Sequence, residues 1–190
     1  MIRSPHSTKG RWVDGTADNT GLAIGLARMF PDARFIGTLG RPTAAVTSRL
    51  VSGEAGVDPA AFKDAAEAWE RATQCLVEAM RHLGPGRALP VRQGDVTENP
   101  ARVMRTVLDF CGEPFFRGCE ASLARDGTPS PASPRFDDAQ SSHLFDLENI
   151  YEQVMSGAAM ADIRWRTPPV AFDDRCAVEA GRWAGAMPGG

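Results

Sequence analysis

Apolar positions in this chain recur at intervals of three and four residues in several long stretches and run together in two short ones. Leu22, Leu26 and Met29 share one face of a helix expected to follow the cap-rich turn Gly15–Thr20, with Pro31 ending it. Phe35-Ile36-Gly37-Thr38-Leu39 is an apolar, β-branched run and reads as a strand. Gly40-Arg41-Pro42 then turns the chain. Pro42 presets φ and lacks the N–H that a first helical turn leaves unused, so a helix is expected to start there and close near Ser52-Gly53.

Asp58-Pro59 opens the longest helix, with Asp as cap and Pro at the first helical position. Phe62, Ala66, Trp69, Ala72, Leu76, Met80 and Leu83 form its stripe, and Gly84-Pro85-Gly86 stops it. Ala88 to Val91 reads as a second strand. Asp95 to Pro100 is expected to turn the chain into a helix capped by Asn99, with Val103, Met104, Val107, Leu108 and Cys111 buried and Gly112 as its end. Arg125 to Gln140, with three prolines, reads as a long loop, and a last helix from about Ser142 to Met155 carries Leu144, Leu147, Tyr151 and Val154. The order helix, strand, helix, helix, strand, helix predicts an α/β fold with a parallel sheet layered by helices.

Composition narrows the classes. With 190 residues and 43% hydrophobic content the chain suits one domain with a full core. A net charge of -3 and scattered arginines argue against partnership with nucleic acid or a membrane surface. No apolar run has the length of a membrane span, and the polar N-terminus lacks a signal-peptide core. Cys75, Cys111, Cys119 and Cys176 form no C-x-x-C pair and have no histidine at metal-ligand spacing. Buried reduced thiols, a cytoplasmic location and no metal site are the expectations. Lys9 and Lys63 are the only lysines, and Lys9 lies outside any expected helix.

The β-strand, turn and helix around Gly40-Arg41-Pro42 carry the strongest chemical signal. A helix N-terminus at the carboxyl end of a strand offers free N–H groups and a positive dipole end, and Arg41 stands beside it. That is an anion site in outline. Thr43, Thr47 and Ser48 add hydroxyls, and Ser48 follows Arg41 by two helical turns.

Several segments taken together resemble the sulfotransferases. They are Arg11-Trp12-Val13-Asp14-Gly15-Thr16, Phe30-Pro31-Asp32-Ala33-Arg34-Phe35-Ile36, Pro42 with Ser48, Ala66-Glu67-Ala68-Trp69, Asp95 to Pro100, and Val107-Leu108-Asp109-Phe110-Cys111-Gly112-Glu113-Pro114-Phe115. The resemblance covers roughly residues 11–116. It implies a three-layer, P-loop-like α/β fold, 3′-phosphoadenosine 5′-phosphosulfate as cofactor, adenosine 3′,5′-bisphosphate as its product, and a hydroxyl or amine on a small molecule or glycan as acceptor. It also implies that Ser48 and an arginine at the end of the strand hold the cofactor's 3′-phosphate. Matching Pro42 and Ser48 to the family pattern puts Gly40 at the arginine position and Arg41 one residue later. Arg41 and Ser48 are the cofactor-binding candidates.

The family's phosphosulfate-binding strand and loop are expected to be missing here, although Ser4 to Lys9 carries some suitable side chains. Ten residues precede Arg11, and Ser4-Pro5-His6-Ser7-Thr8-Lys9 follows no apolar strand. The expectation is a fold incomplete at its N-terminus, with an exposed sheet edge, and a homo-oligomer or a partner chain as one source of the missing part. Candidates for the acceptor's base are His6, Asp14, Asp18 and His143, with His143 expected at the opening of the last helix. Lys9 or Arg11 would neutralise sulfuryl oxygens. Two readings stay open: a sulfotransferase, or a non-catalytic relative that binds a nucleotide or a partner.

Overall fold

The computed structural model describes residues 11–16, 19–50, 57–115, 118, 134–157 and 163–168. Its elements are α1 (Asn19–Met29), β1 (Phe35–Leu39), α2 (Pro42–Arg49), α3 (Pro59–Leu83), β2 (Ala88–Arg92), α4 (Gln93–Glu98), α5 (Pro100–Cys111) and α6 (Asp138–Ser156). Among the described residues β1 and β2 form a two-stranded parallel sheet, in register from Phe35 opposite Ala88 to Leu39 opposite Arg92. Helices α2 and α3 make the crossover. The expected parallel α/β fold flanked by helices is present.

The 25-residue helix α3 is the spine of the structure. Asp58 caps it, accepting from the backbone N–H groups of Ala60 and Ala61 at 3.3 and 3.2 Å. Phe62, Ala66, Trp69 and Leu76 are buried on it as their spacing predicts, but Ala72 faces solvent, and the adjoining Thr73 and Gln74 are buried. β1 shows the period of two. Phe35, Gly37 and Leu39 turn inward, while Ile36 and Thr38 are exposed. Gly37 is the point of closest approach, because a Cβ there would lie 2.2 Å from Leu76 Cδ1. Leu39, Val46, Phe62, Trp69, Leu76, Leu147, Tyr151 and Val154 form one core cluster shared by β1, α2, α3 and α6.

Three local expectations give way. In α1 the inward face belongs to the small residues Ala23, Gly25 and Ala27, while Met29 is 40% exposed. Close packing of α1 selects its smallest side chains, and Arg87 fixes its far end by donating to the carbonyls of Ala27 and Phe30 at 3.2 Å and Ala33 at 3.3 Å. The segment read as a turn at Asp95 to Pro100 is largely the short helix α4, joined to α5 by an Arg102–Asp95 ion pair at 2.8 Å. Of the expected α5 stripe only Val103 is fully buried, and its other members, Cys111 included, are half-buried.

Helix α6 starts four residues earlier than its apolar stripe suggests. Asp137 and Gln140 form a reciprocal capping box: Asp137 Oδ1 accepts from the Gln140 backbone at 2.8 Å, and Gln140 Oε1 from the Asp137 backbone at 3.1 Å. Of the proline-rich loop expected over Arg125 to Gln140, residues 125–133 lie outside the described residues and Asp138 to Gln140 are helical. The segment 163–168 is clamped to α3. Glu70, 1% exposed, accepts from the backbone N–H groups of Arg166 and Thr167, and Gln74 donates to the Thr167 hydroxyl at 2.9 Å. No helix among the described residues is long and apolar enough to cross a membrane.

Candidate functional site at the carboxyl ends of the strands

Both parallel strands end at the same side of the molecule, and in open α/β sheets this is where ligands gather. β1 runs into Gly40 and Arg41, and Pro42 begins α2. The turn is held from below: the Trp69 indole N–H, on a ring 5% exposed, donates to the Gly40 carbonyl at 3.0 Å. Trp69 therefore packs in the core, as its place on α3 predicts, and also fixes the turn that presents Arg41.

Above this turn lies α6. Glu148 accepts from the Thr43 hydroxyl at 3.0 Å, from the Thr43 backbone N–H at 3.4 Å and from Arg41 Nη1 at 2.9 Å. Glu152 accepts from Arg41 Nη2 and from Arg92 Nη1, both at 3.1 Å. The Tyr151 ring lies beside both guanidinium groups, its centroid 5.2 Å from that of Arg41 and 5.4 Å from that of Arg92. An oxyanion thus already rests on the N-terminal turn of α2, supplied by the chain itself.

The electrostatics follow from the partners. The hydrogen bond that Arg41 donates to Glu148 raises the Arg41 pKa above its ordinary value; partial desolvation opposes this, and the charges of Glu148 and Glu152 add to it. Around Arg92 the strongest single influence is burial, which favours the neutral form, but the Glu152 hydrogen bond and charge, with Tyr151, outweigh it and raise the pKa. Both arginines stay charged. Their side chains are 58% and 30% exposed, so each pair contributes no more than about 1 kcal/mol.

The sequence candidates are not all brought together. Arg41 is at the turn, engaged with α6. Ser48 lies two turns along α2, exposed, with its hydroxyl donating to the Ala45 carbonyl at 2.8 Å, and it shares no hydrogen-bond partner with Arg41 among the described residues. Gly40 has a tight neighbour, since a Cβ there would fall 2.4 Å from Gln93 Oε1. Asp14 is exposed and accepts from the Thr16 hydroxyl at 2.7 Å and backbone N–H at 2.9 Å. These bonds lower its pKa, which suits a turn-forming carboxylate better than a base. Arg11 pairs with Glu113 at 3.1 Å. His6, Lys9 and Asp18 lie outside the described residues. His143 is inside α6 and not at its start, because the capping box moves the helix start back to Asp138. It sits edge-on to Phe62, and its Nε2 is buried with no hydrogen-bond partner among the described residues.

Sequence reasoning missed Arg92, Glu148, Tyr151 and Glu152. A signal was present, since Glu148, Tyr151, Glu152 and Met155 repeat at helical spacing beside the apolar stripe, with two acids where a solvated face needs none in particular. A cavity of about 230 Å³ adjoins Arg92 and is lined also by Asp95, Arg102, Val103, Thr106 and Met155. Among the described residues no cluster of side chains has metal-ligand character.

The class defined so far is a parallel α/β protein with an oxyanion-accepting turn at the carboxyl end of its first described strand. The chain belongs to the sulfotransferase family, whose family model matches residues 2–117. Among solved structures it is similar to a sulfotransferase domain from the curacin biosynthetic pathway, at 15% identity and a TM-score of 0.46, over 86% of this chain and 60% of that one. The chain thus spans less than two thirds of that domain's length.

Proposed function

We propose that this chain serves sulfuryl transfer from 3′-phosphoadenosine 5′-phosphosulfate to a hydroxyl or amine on a small-molecule or glycan acceptor, with the 3′-phosphate seated at the start of α2. The observation that carries the reading is the oxyanion already accepted there by the Thr43 N–H, the Thr43 hydroxyl and Arg41. A carboxylate and a phosphate ask for the same donors: N–H groups, a hydroxyl and a guanidinium fork. Arg41 supplies the charge one residue later than the family pattern has it, and its long arm spans that shift. Ser48 supplies a hydroxyl once it releases the Ala45 carbonyl.

The donor, when bound, supplies a sulfur whose bond to the bridging phosphate oxygen breaks as the acceptor attacks in line. What this chain does is hold the nucleotide end, so that attack and departure share one axis. A second reading is a non-catalytic relative that binds the nucleotide or a partner, favoured by the partners that Arg41 and Thr43 already have on α6.

Calorimetric titration with adenosine 3′,5′-bisphosphate tests the site. Binding that weakens in Arg41→Ala and in Ser48→Ala is the expected result, and a folded wild-type chain that does not bind overturns it. Transfer of labelled sulfuryl from the donor to an acceptor panel then separates the two readings.

A further inference from the structure

Two arginines and two carboxylates from three elements meet around one aromatic ring. Arg41 comes from the turn after β1, Arg92 from the end of β2, and Glu148 and Glu152 from successive turns of α6, with the Tyr151 ring within 5.4 Å of both guanidinium groups. The two negative charges balance the two positive ones. We propose that Glu148 and Glu152 are an internal competitor for the anion site, and that Arg92 is a second arginine of that site, freed together with Arg41 when a phosphate displaces the two carboxylates. The inference rests on the reading of Arg41 as a phosphate-binding residue.

The carboxylates can leave without the helix. α6 is held by Leu144, Leu147, Ile150, Tyr151 and Val154, all buried, whereas the Glu152 side chain is 50% exposed and that of Glu148 24%. Rotation of two side chains into water therefore opens the site. The exchange is favourable because a phosphate brings more charge to one centre than a carboxylate, and two guanidinium groups can share its oxygens. Competition also lowers the apparent affinity, since only the fraction of molecules with the carboxylates swung out is ready to bind.

Tyr151 is the only tyrosine in the chain, so 3-fluorotyrosine gives one ¹⁹F resonance from the ring that neighbours both arginines. The experiment titrates the full chain with adenosine 3′,5′-bisphosphate and, separately, with inorganic phosphate. It compares wild type, the Glu148→Gln/Glu152→Gln double variant and Arg92→Ala, following heat and the Tyr151 resonance. The double variant is expected to bind the bisphosphate about tenfold tighter, and Arg92→Ala to bind it more weakly by a similar factor. The wild-type Tyr151 resonance is expected to move on binding. Tightening with inorganic phosphate as well assigns the site to any phosphate, and tightening with the bisphosphate alone assigns it to the nucleotide; both support the competitor. If wild type binds the bisphosphate, the double variant binds no tighter and Tyr151 stays still, the inference is overturned and the cofactor reading stands. If neither wild type nor the double variant binds, the cofactor reading falls and the competitor with it.

Discussion

Helix α6 has two sides held by two kinds of force. Along one run Leu144, Leu147, Ile150 and Val154, each 6% exposed or less, packed into the core against α3. Along the other run Glu148 and Glu152, paired with arginines in partial contact with water. Burial of a leucine contributes about 2 kcal/mol and tolerates no exchange of partner without a cavity, whereas an exposed ion pair contributes about 1 kcal/mol at most and trades partners readily. The apolar side keeps α6 in place, and the acidic side is the part able to respond to a ligand.

The sharpest way to break this contrast is on the apolar side. Leu147→Ala removes a fully buried side chain and is expected to lower unfolding stability by about 2–5 kcal/mol, read from the midpoint of urea denaturation. A loss below 1 kcal/mol would mean that the packing of α6 is not what holds it. Trp69→Phe straddles the two sides, because its ring belongs to the core and its N–H holds the Gly40 carbonyl. It should lose about 1 kcal/mol of stability together with affinity for adenosine 3′,5′-bisphosphate. Stability lost with affinity intact would separate the turn from the site.

His143 gives a smaller, pH-dependent effect. Burial lowers its pKa, the Arg166 charge adds to this, and Glu70, Asp146 and Glu67 work the other way. The folded state thus takes up the proton less readily than the unfolded chain. Its contribution is complete above the unfolded value of 6.5 and is lost as pH falls below it, levelling off once the folded form also protonates. Thermal melts across this range should show that slope in wild type and a flatter one in His143→Leu. The least effect is expected from Glu152→Gln, whose melting curve should lie within about 1 kcal/mol of wild type. A larger loss would make the acidic side structural after all.

Most of the fold could be read from the sequence because its signals are local. Asp58-Pro59, Pro42 and Gly112 mark helix ends through backbone chemistry that acts within a few residues, and both strands lie where β-branched and apolar residues run together. The same kind of signal was present but unread at Asp137 and Gln140, whose spacing is that of a capping box. The inward face of α1 was not legible, since Leu22 and Met29 satisfy periodicity whereas Ala23 and Ala27 satisfy the space available. The site divides in the same way. Arg41 and Thr43 were visible as parts of a strand-turn-helix, a local motif. Glu148 and Glu152 lie more than a hundred residues further along, and only the docking of α6, a tertiary event, puts them on the same turn.

Trp69 and Glu70 are neighbours on α3, and each clasps a different distant segment: the Gly40 turn on one side, the backbone of Arg166 and Thr167 on the other. Adjacent residues on a helix point about a quarter-turn apart, so one small roll of α3 about its axis loosens both clasps together. The two segments, separated by most of the chain, are therefore expected to open together as one cooperative unit. In hydrogen exchange the amides of Arg166 and Thr167 should share their opening free energy with those of the first turn of α2, as members of one foldon.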